Sequence, residues 1–448
     1  MAVIDRPELP PGPFLVVGLA RSGLAAALAL RARGADVVGT DARAIAPADR
    51  ALLEDAGVRV HAPDDGTALL DGVATVVKSP GVPQTAPVVR AARANAIRVV
   101  GELDLAWRML PNPFVAVTGS NGKTTTVELL GHLHRTAGIP VAVAGNVGTP
   151  LSALAGALRP EAVVACEASS FQLEDTEAFA PDAAILLNVT EDHLDRHGTI
   201  DAYREAKLRI FAEQPPRAVA VVPDDLELPQ MGGAATRVRF GDGAGTDLRE
   251  HEGVLHWRGT PLIPVEEIRL RGAHNRQNAM AAAAACLARG MDAEAVRTGL
   301  ATFTGVPHRL EEVATLDGVL YVNDSKATNV ASAVVGIGSF RGGVHVILGG
   351  RGKGADFAPL AEPVGERCRA VYLIGEDAAR IAAALEHTGV PLQDSGDLET
   401  ALADARAAAR PGEIVLLSPA CASFDQFSDF EARGDRFREL VLEPVTAR

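Results

Sequence analysis

Short apolar runs alternate with helix-like stretches along the first hundred residues. Phe14 to Val17 has the pattern of a buried strand, and the Ala- and Leu-rich segment 24–33 predicts a helix that Gly34 ends. A second strand is expected at 37–39, which completes a β-α-β unit. Further strands are expected at 73–77 and 97–100. The alternation predicts a Rossmann-like first domain that ends near residue 105.

The same alternation continues through the rest of the chain. Central strands are expected at 114–117, 141–143, 163–166 and 184–187. The polar, glycine-rich tract 224–271 predicts hairpins, and 275–288 predicts a long helix. After a hinge-like segment at 304–307, strands are expected at 320–323, 344–348, 370–374 and 414–417.

We therefore predict an α/β fold of three domains. Residues 1–105 form a Rossmann-like domain, 106–305 a central domain with a parallel sheet like that of P-loop ATPases, and 306–448 a second Rossmann-like domain. The length of 448 residues and the hydrophobic content of 47% are enough for several cores.

Charge and cysteine usage exclude several classes of function. The net charge of -14 disfavours a nucleic acid partner, because a polyanion would be repelled. The 4 cysteines lie far apart without a CxxC pair, so neither a zinc site nor a disulfide framework is expected. The N-terminal stretch lacks the apolar segment of a secretory signal. The longest apolar run, 279–288, is too short to span a bilayer, which predicts a cytoplasmic protein, and we expect a monomer.

Lysine is rare in this chain, which makes each lysine a candidate for chemistry. Arginine supplies nearly all of the 43 basic side chains, and it cannot replace lysine where a compact ammonium or a neutral amine is needed. The five lysines are Lys78, Lys123, Lys207, Lys326 and Lys353. All except Lys78 lie in the motifs described next.

The strongest motif is the segment Thr118 to Thr125 between a predicted strand and a predicted helix. Its small residues allow backbone N–H groups to surround phosphates, Lys123 can reach the outer phosphates, and the Thr124 hydroxyl can bind magnesium. The motif is a shorter variant of the P-loop, because Val117 occupies the place of the first glycine. The alternative is an ordinary glycine-rich turn.

A weaker motif, Gly18 to Gly23, has the form of a dinucleotide fingerprint. Ala20 replaces the middle glycine, and Asp41 follows at the distance expected for a ribose partner. The segment could bind NAD, bind another nucleotide, or form a tight turn without a ligand. The alanine disfavours close approach of a pyrophosphate and therefore disfavours NAD.

Candidate metal ligands follow two strands of the central domain. Glu167 ends one strand and His193 follows the next, so both could meet Thr124 at the carboxyl edge of the sheet and bind magnesium. The alternative is solvated acidic surface. Lys207 is expected on a helix, either as a surface cation or as an amine that carbon dioxide converts to a metal-binding carbamate.

Motifs along nearly the whole chain resemble the Mur ligase family. These are the phosphate loop and the segments 144–148, 167–173, 188–195, 272–278 and 307–309. Within the family, 323–329, 349–357 and 418–427 look like those of members that add D-glutamate to UDP-N-acetylmuramoyl-L-alanine. The resemblance implies an ATP-dependent carboxylate-amine ligase of peptidoglycan precursor synthesis that works through an acyl phosphate and closes about the hinge near 304–307.

The resemblance also implies roles for individual residues. The implied catalytic residues are Lys123, Asn146, Glu167, His193, Lys207 and Arg309. The implied ATP-binding residues are Gly119, Ser120, Asn121, Gly122, Lys123, Thr124, Thr125, Asn275, Asn278, Arg309, Asp324 and Lys326. The UDP-linked acceptor is expected to bind Arg21, Ser22, Asp41, Ser79, Gly81, Asn146 and His193. D-glutamate is expected to bind Thr328, Lys353, Ser423 and Phe430. Two magnesium ions are expected to bind Thr124, Glu167, His193 and carbamylated Lys207.

Three other functions remain open from the residues. A folate polyglutamate synthetase would share the architecture, although the motifs around Thr328 and Lys353 disfavour it. A regulatory protein that senses ATP without turnover would leave Glu167, His193 and Lys207 without a reason to converge. A dehydrogenase would use the Gly18 to Gly23 segment for a nicotinamide cofactor.

Overall fold

The protein consists of two compact units, Met1–Phe303 and Thr304–Arg448. The structure, a computed structural model, describes residues 6–226, 232–270, 272–352 and 354–443. The first unit contains two sheets and the second contains one. Three α/β domains built on largely parallel sheets result, as the sequence predicts.

The first sheet has five parallel strands in the order β3-β2-β1-β4-β5. They are β1 Phe14–Val17, β2 Val37–Thr40, β3 Arg59–His61, β4 Thr75–Lys78 and β5 Arg98–Gly101. Four helices accompany them: α1 Arg21–Arg31, α2 Pro47–Asp55, α3 Pro87–Ala94 and α4 Glu102–Met109. Neighbouring residues of β1 pack on opposite faces, since Val16 joins the core with α1 and α4, and Leu15 joins the core with α3.

The second sheet carries the phosphate loop and has nine strands in the order β14-β13-β12-β11-β10-β9-β6-β8-β7. They are β6 Phe114–Thr118, β7 Val141–Gly145, β8 Val163–Glu167, β9 Ala183–Leu186, β10 Val219–Pro223, β11 Thr236–Gly241, β12 Leu248–His251, β13 Val254–Trp257 and β14 Thr260–Pro264. Strands β6 to β12 pair in parallel, and β12, β13 and β14 form antiparallel hairpins. The predicted hairpins are confirmed for β12 to β14, whereas β11 extends the parallel sheet.

Among its described residues, this part of the first unit contains six helices: α5 Lys123–Thr136, α6 Ser170–Leu173, α7 Leu194–His197, α8 Ile200–Leu208, α9 Ala273–Ala288 and α10 Ala293–Thr302. Helix α9 begins with polar residues and is apolar on all sides from Ala279 onward. It is buried from Asn278 to Leu287, because it packs on α5 and on strands β10 and β11. Its alanines allow this close packing, and the helix brings Asn278 to the phosphate loop.

The second unit has a six-stranded sheet in the order β15-β16-β20-β17-β18-β19, which is parallel except for β15. The strands are β15 Glu311–Leu316, β16 Val319–Asn323, β17 Val344–Gly349, β18 Cys368–Ile374, β19 Leu392–Gly396 and β20 Ile414–Leu417. The helices are α11 Val330–Gly338, α12 Ala361–Arg367, α13 Ala378–Leu385, α14 Leu398–Ala408 and α15 Phe430–Leu442. Two core clusters cover its faces, with Val346 on one and Ile347 on the other.

Short 3-10 segments complete the secondary structure at Thr67–Leu69, Leu151–Leu154, Arg209–Phe211, Val265–Glu267, Ala358–Leu360 and Glu386–Thr388. The four cysteines are free, and all except the partly exposed Cys368 are buried. Within the described ranges no helix is both long and apolar enough to cross a membrane.

Candidate functional site

The phosphate loop joins β6 to α5 through two glycines with positive φ. Gly119 has a φ of 155° and Gly122 a φ of 85°, and a Cβ at Gly122 would lie 2.2 Å from Oδ1 of Asn278. The loop encloses the side chain of Lys123. Lys123 Nζ donates to the carbonyl oxygens of Gly119 and Ser120 at 2.8 Å each. The backbone of a phosphate loop and its lysine are therefore preassembled.

A second loop braces the phosphate loop. The Asn121 N–H donates to Asn188 Oδ1 at 2.9 Å, and the Ser120 hydroxyl donates to the carbonyl oxygen of Thr190 at 2.9 Å. Residues 188–190 follow β9, the strand beside β6. The sequence singles out Asn188 and Thr190 only as part of a motif, and the structure gives them a supporting role.

Three predicted site residues meet at the carboxyl ends of β6, β7 and β8. Thr124 Oγ1 donates to Glu167 Oε2 at 2.9 Å, and Asn146 Nδ2 donates to Glu167 Oε1 at 3.0 Å. The Glu167 carboxylate is 3% exposed and ends β8. The hydroxyl and carboxylate oxygens are hard donors of the kind that magnesium prefers. No group of three or more His, Cys, Asp or Glu side chains that could hold a metal occurs within the described part of the chain.

Lys207 reaches the same phosphate loop from helix α8. It is 1% exposed, its Nζ donates to the Gly119 carbonyl oxygen at 2.8 Å, and the same Nζ lies 4.2 Å from the ring centroid of Tyr203. Burial, and then the positive charge of Lys123, lower the pKa of Lys207 to about 7. The interpretation as an ordinary surface cation is therefore wrong, since this amine is buried and readily becomes neutral.

His193 occupies a different position from the buried cluster. It precedes α7 with a left-handed φ of 52°, and its half-exposed imidazole lies 3.4 Å from an oxygen of Asp192 and packs on Phe171. Its ring centroid is 6.3 Å from that of Tyr203, the residue that also contacts Lys207. The convergence of His193 with Glu167 on one ion stays a prediction.

The fingerprint turn Gly18 to Gly23 is tightly closed. A Cβ at Gly23 would lie 1.8 Å from the Gly18 carbonyl oxygen, which explains the glycine there. The Ser79 hydroxyl donates to that carbonyl at 2.6 Å, and Asp41 Oδ2 accepts the Leu19 N–H at 2.8 Å. The turn, the end of β2 and the end of β4 are thus joined.

The other residues predicted for the UDP-linked acceptor lie around this turn. The Arg21 guanidinium donates to the Gly148 carbonyl, which links the turn to the segment after Asn146. Ser22 is partly exposed in the first turn of α1, and Gly81 is exposed in the turn after β4.

Helix α9 supplies the two predicted asparagines of the nucleotide site. Asn278 Nδ2 donates to Asn275 Oδ1 at 3.1 Å, and the buried Asn278 faces Gly122. The structure therefore brings at least Asn278 to the phosphate loop, more than 150 positions away in the sequence.

The predicted residues of the second unit surround the ends of β16 and β20. Asp324 Oδ2 accepts the Ser418 hydroxyl at 2.7 Å, and burial raises the pKa of Asp324 to about 7. Lys326 Nζ lies 5.5 Å from the ring centroid of Phe430, and the Thr328 N–H donates to the Lys326 carbonyl at 2.8 Å. Lys326 therefore lies near both Thr328 and Phe430, and Asp324 is held at the end of β16 by Ser418.

Three further residues of this unit, Arg309, Ser423 and Lys353, were predicted to belong to the site. The Arg309 N–H donates to the Val306 carbonyl at 3.0 Å. Ser423 is buried and its carbonyl accepts the N–H groups of Gln426 and Phe427. Lys353 lies outside the described residues.

Sequence reasoning missed a buried arginine that supports this part of the second unit. Arg433, 1% exposed on α15, donates through Nε to Ser325 Oγ at 2.9 Å and through Nη1 to the Cys421 carbonyl at 3.2 Å. Burial lowers its pKa to about 10. It fixes the segments next to Asp324 and Ser423, and no local pattern distinguishes it from the many other arginines of the chain.

The fold and the loop define a multidomain α/β protein with a phosphate-binding loop. Residues 13–101 match the Mur ligase MurD-like N-terminal domain, 117–286 the Mur ligase middle domain, and 308–421 the Mur ligase glutamate ligase domain. The chain belongs to the Mur ligase family.

Curated relatives match over almost the full length. A UDP-N-acetylmuramoylalanine–D-glutamate ligase from Acidobacterium capsulatum is 43% identical, with 97% of each chain covered. One of the same name from Anaeromyxobacter dehalogenans is also 43% identical, covering 98% of this chain and 99% of the relative. Among solved structures, UDP-N-acetylmuramate-alanine ligase from Thermotoga maritima is similar in fold, with a TM-score of 0.57 at 19% identity over 95% of this chain and 98% of that one.

Proposed function

We propose that this protein is the ATP-dependent ligase that joins D-glutamate to UDP-N-acetylmuramoyl-L-alanine in peptidoglycan precursor synthesis. The proposal rests on the cluster of Lys123, Thr124, Glu167 and Lys207 around the phosphate loop. The choice of D-glutamate comes from the curated relatives of that name, at 43% identity over nearly the whole chain.

The reaction requires activation, because a carboxylate is a poor electrophile. The terminal carboxylate oxygen of the acceptor attacks the γ-phosphorus of ATP, and the bond to ADP breaks to give an acyl phosphate. The amine of D-glutamate then attacks the acyl carbon, loses a proton and expels phosphate as the amide forms. Catalysis of this kind depends on positioning and on stabilising negative charge.

The residues of the phosphate loop, 119–125, bind the triphosphate in this proposal. Lys123 places its ammonium at the phosphates, and its hydrogen bonds to two loop carbonyls already hold Nζ inside the loop. Asn275 and Asn278 of α9, together with Asp324 and Lys326 of the second unit, contact the rest of the nucleotide. Arg309 stabilises the charge that develops on the transferred phosphoryl group.

Two magnesium ions complete the site. The Thr124 hydroxyl and the Glu167 carboxylate fit one ion, because both are oxygen donors and already lie 2.9 Å apart. His193 and Lys207, as a carbamate, would hold the other. Bound there, the ions would neutralise phosphate charge.

The environment of Lys207 supports the proposed carbamylation. Only a neutral amine adds carbon dioxide, and a pKa of about 7 leaves about half of the Lys207 amines neutral at neutral pH. Conversion to a carbamate replaces a buried cation beside Lys123 with an anion, which removes the repulsion between the two side chains.

In this proposal the UDP of the acceptor binds residues of the first unit, and D-glutamate binds residues of the second unit. The UDP of the acceptor binds Arg21, Ser22, Asp41, Ser79 and Gly81, and Asn146 and His193 steady its reacting end. D-glutamate binds Thr328, Lys353, Ser423 and Phe430. We also propose that the three domains span residues 1–105, 106–305 and 306–448. The protein acts in the cytoplasm and is a monomer in this proposal.

A phosphate-release assay tests the function. Purified protein is given UDP-N-acetylmuramoyl-L-alanine, ATP and magnesium, with D-glutamate or L-glutamate as the amine. We expect phosphate release and a product larger by one glutamate with the D isomer only. Equal release with L-glutamate, or release with a folate acceptor and L-glutamate instead, would contradict the proposal.

A further inference from the structure

Lys78 is the one lysine that the proposed reaction does not use, and it is completely buried. It ends β4, directly before Ser79, and its side chain is 0% exposed. Its Nζ forms an ion pair with Asp175 Oδ2 at 2.9 Å and donates to the Val82 carbonyl oxygen at 2.8 Å. One compact ammonium thus connects the turn 79–82 to the segment that follows α6.

A second cation makes the same connection from another helix. Arg196 of α7 donates through Nη1 to the Pro80 carbonyl at 2.8 Å and through Nη2 to Glu174 Oε2 at 3.3 Å. Its guanidinium lies 3.9 Å from the ring centroid of Phe171, which also contacts His193. The turn 79–82 is therefore held by two charged side chains, Lys78 paired with Asp175 and Arg196 paired with Glu174.

Gln84 ties the two acidic anchors together. Its Nε2 donates to Glu174 Oε2 and to Asp175 Oδ1, at 2.9 Å each. We call Lys78, Arg196, Glu174 and Asp175 the inter-sheet latch, because Lys78 belongs to the first sheet and the other three follow strands of the second.

The latch holds the turn that contacts the fingerprint. Ser79 donates to the Gly18 carbonyl at 2.6 Å, and a Cβ at Gly18 would lie 2.8 Å from a methyl carbon of Val82. A shift of the 79–82 turn would therefore move the Gly18 turn as well, because the two surfaces are in direct contact. Small displacements of substrate-binding groups are costly when the reacting atoms must be aligned.

We propose that Lys78 and Arg196 are positioning residues for the UDP-linked acceptor. They act through the 79–82 turn. They hold the acceptor-binding turns of the first sheet in a fixed position relative to the phosphate loop and His193, which belong to the second sheet. The proposal rests on the proposed function for the identity of the acceptor. Lys78 suits this place because one compact Nζ reaches both the Asp175 carboxylate and the Val82 carbonyl in a fully buried space, where the larger planar guanidinium would need more room.

Binding measurements separate this role from a merely structural one. Calorimetric titration gives the Kd of UDP-N-acetylmuramoyl-L-alanine and, separately, of a non-hydrolysable ATP analogue for wild type, Lys78→Met and Arg196→Gln. Arg108→Met is the matched control, because Arg108 forms an ion pair with Asp104 at 2.8 Å in α4 that is similarly buried and does not contact the 79–82 turn.

We expect Lys78→Met and Arg196→Gln to weaken acceptor binding about tenfold or more, and to change the Kd of the ATP analogue by less than about twofold. Arg108→Met should lower the unfolding midpoint and leave both Kd values unchanged. Equal weakening of both ligands, or an acceptor Kd in Lys78→Met like that of wild type, would overturn the proposal. If Lys78→Met does not fold, Arg196→Gln decides by the same criteria.

The outcome is distinguishable from failure of the proposed function. A wild type that binds the acceptor but releases no phosphate with D-glutamate would refute the function, and the selective loss of acceptor binding would still support the latch. A wild type that is active with D-glutamate, combined with unchanged binding in both variants, would refute the latch alone.

Discussion

The buried amine of Lys207 should make the stability of the first unit depend on pH. An unfolded lysine keeps its proton up to its usual pKa of 10.5, whereas folded Lys207 loses it near 7. Between these values the unfolded state binds more protons, so stability rises with pH. The cost of burying the ammonium is fully present below about pH 7 and disappears above about pH 10.5.

The magnitude follows from the two pKa values. A difference between 10.5 and about 7 corresponds to a cost on the order of 5 kcal/mol at low pH. Between about pH 6 and about pH 9, about 3 kcal/mol of that cost should be relieved. Burial is the larger cause, and Lys123, which shares the Gly119 carbonyl with Lys207, is the second.

The assay compares wild type with Lys207→Met in buffer free of carbon dioxide, so that no carbamate forms. The 2 tryptophans of the chain, Trp107 and Trp257, both lie in the first unit, so their fluorescence reports its unfolding in denaturant. The stability of wild type relative to the variant should increase by about 3 kcal/mol from about pH 6 to about pH 9.

Arg209→Met is the control for this experiment. Arg209 follows Lys207 closely and donates to the Leu173 carbonyl at 2.9 Å. Arginine is the suitable residue type for a control, because guanidinium groups in general do not deprotonate in proteins. Its removal should change stability by the same amount at every pH. A difference in stability between wild type and Lys207→Met that does not vary with pH would show that Lys207 titrates alike in the folded and unfolded states and would refute the reasoning.

Three further outcomes are expected. Lys123→Ala should abolish phosphate release, since loss of a positioned charge of this kind costs about 3 kcal/mol or more in the transition state; near-normal turnover would remove Lys123 from the site. Lys207→Ala should lose activity and regain part of it with added short-chain carboxylic acids, and a complete lack of rescue would leave Lys207 only a structural role. Cys421 should resist alkylation in the folded protein at about pH 8, because it is buried and its pKa is raised to about 12; rapid labelling detected by mass spectrometry would contradict this.

The predicted strands that the structure confirms are those with short, continuous apolar runs. Such a run has a local cause, because a strand covered on both faces needs apolar side chains at every position. Strand β1, Phe14–Val17, is buried at each residue and appears where the pattern places it. Strands β3, β10, β15 and β19 are not among the predicted strands. Three of them, β3, β15 and β19, lie at sheet edges, where exposed polar residues interrupt the apolar pattern, whereas β10 is buried at every residue.

The candidate site was predictable to the extent that its residues belong to local motifs. Glycines followed by a lysine and a threonine, between an apolar run and a helical pattern, are enough to predict a phosphate loop, and the topology of a parallel sheet places Glu167 at the same edge. The burial of Lys207 could not be predicted in this way, because it depends on the packing of α8 against the phosphate loop, and the two segments are far apart in the sequence. The same holds for Arg433.

The α/β class, the phosphate loop and the family can be inferred from the sequence, because each of these is carried by short-range patterns and by the order of motifs. Which charges are buried, and with which groups they pair, depends on the folded arrangement of the chain. Lys78 and Asp175 lie almost a hundred residues apart, yet their ion pair is excluded from water. Burial and pairing are sums over contacts from distant segments, so no window of sequence contains them, and only the folded chain shows why two of its few lysines are held where they are.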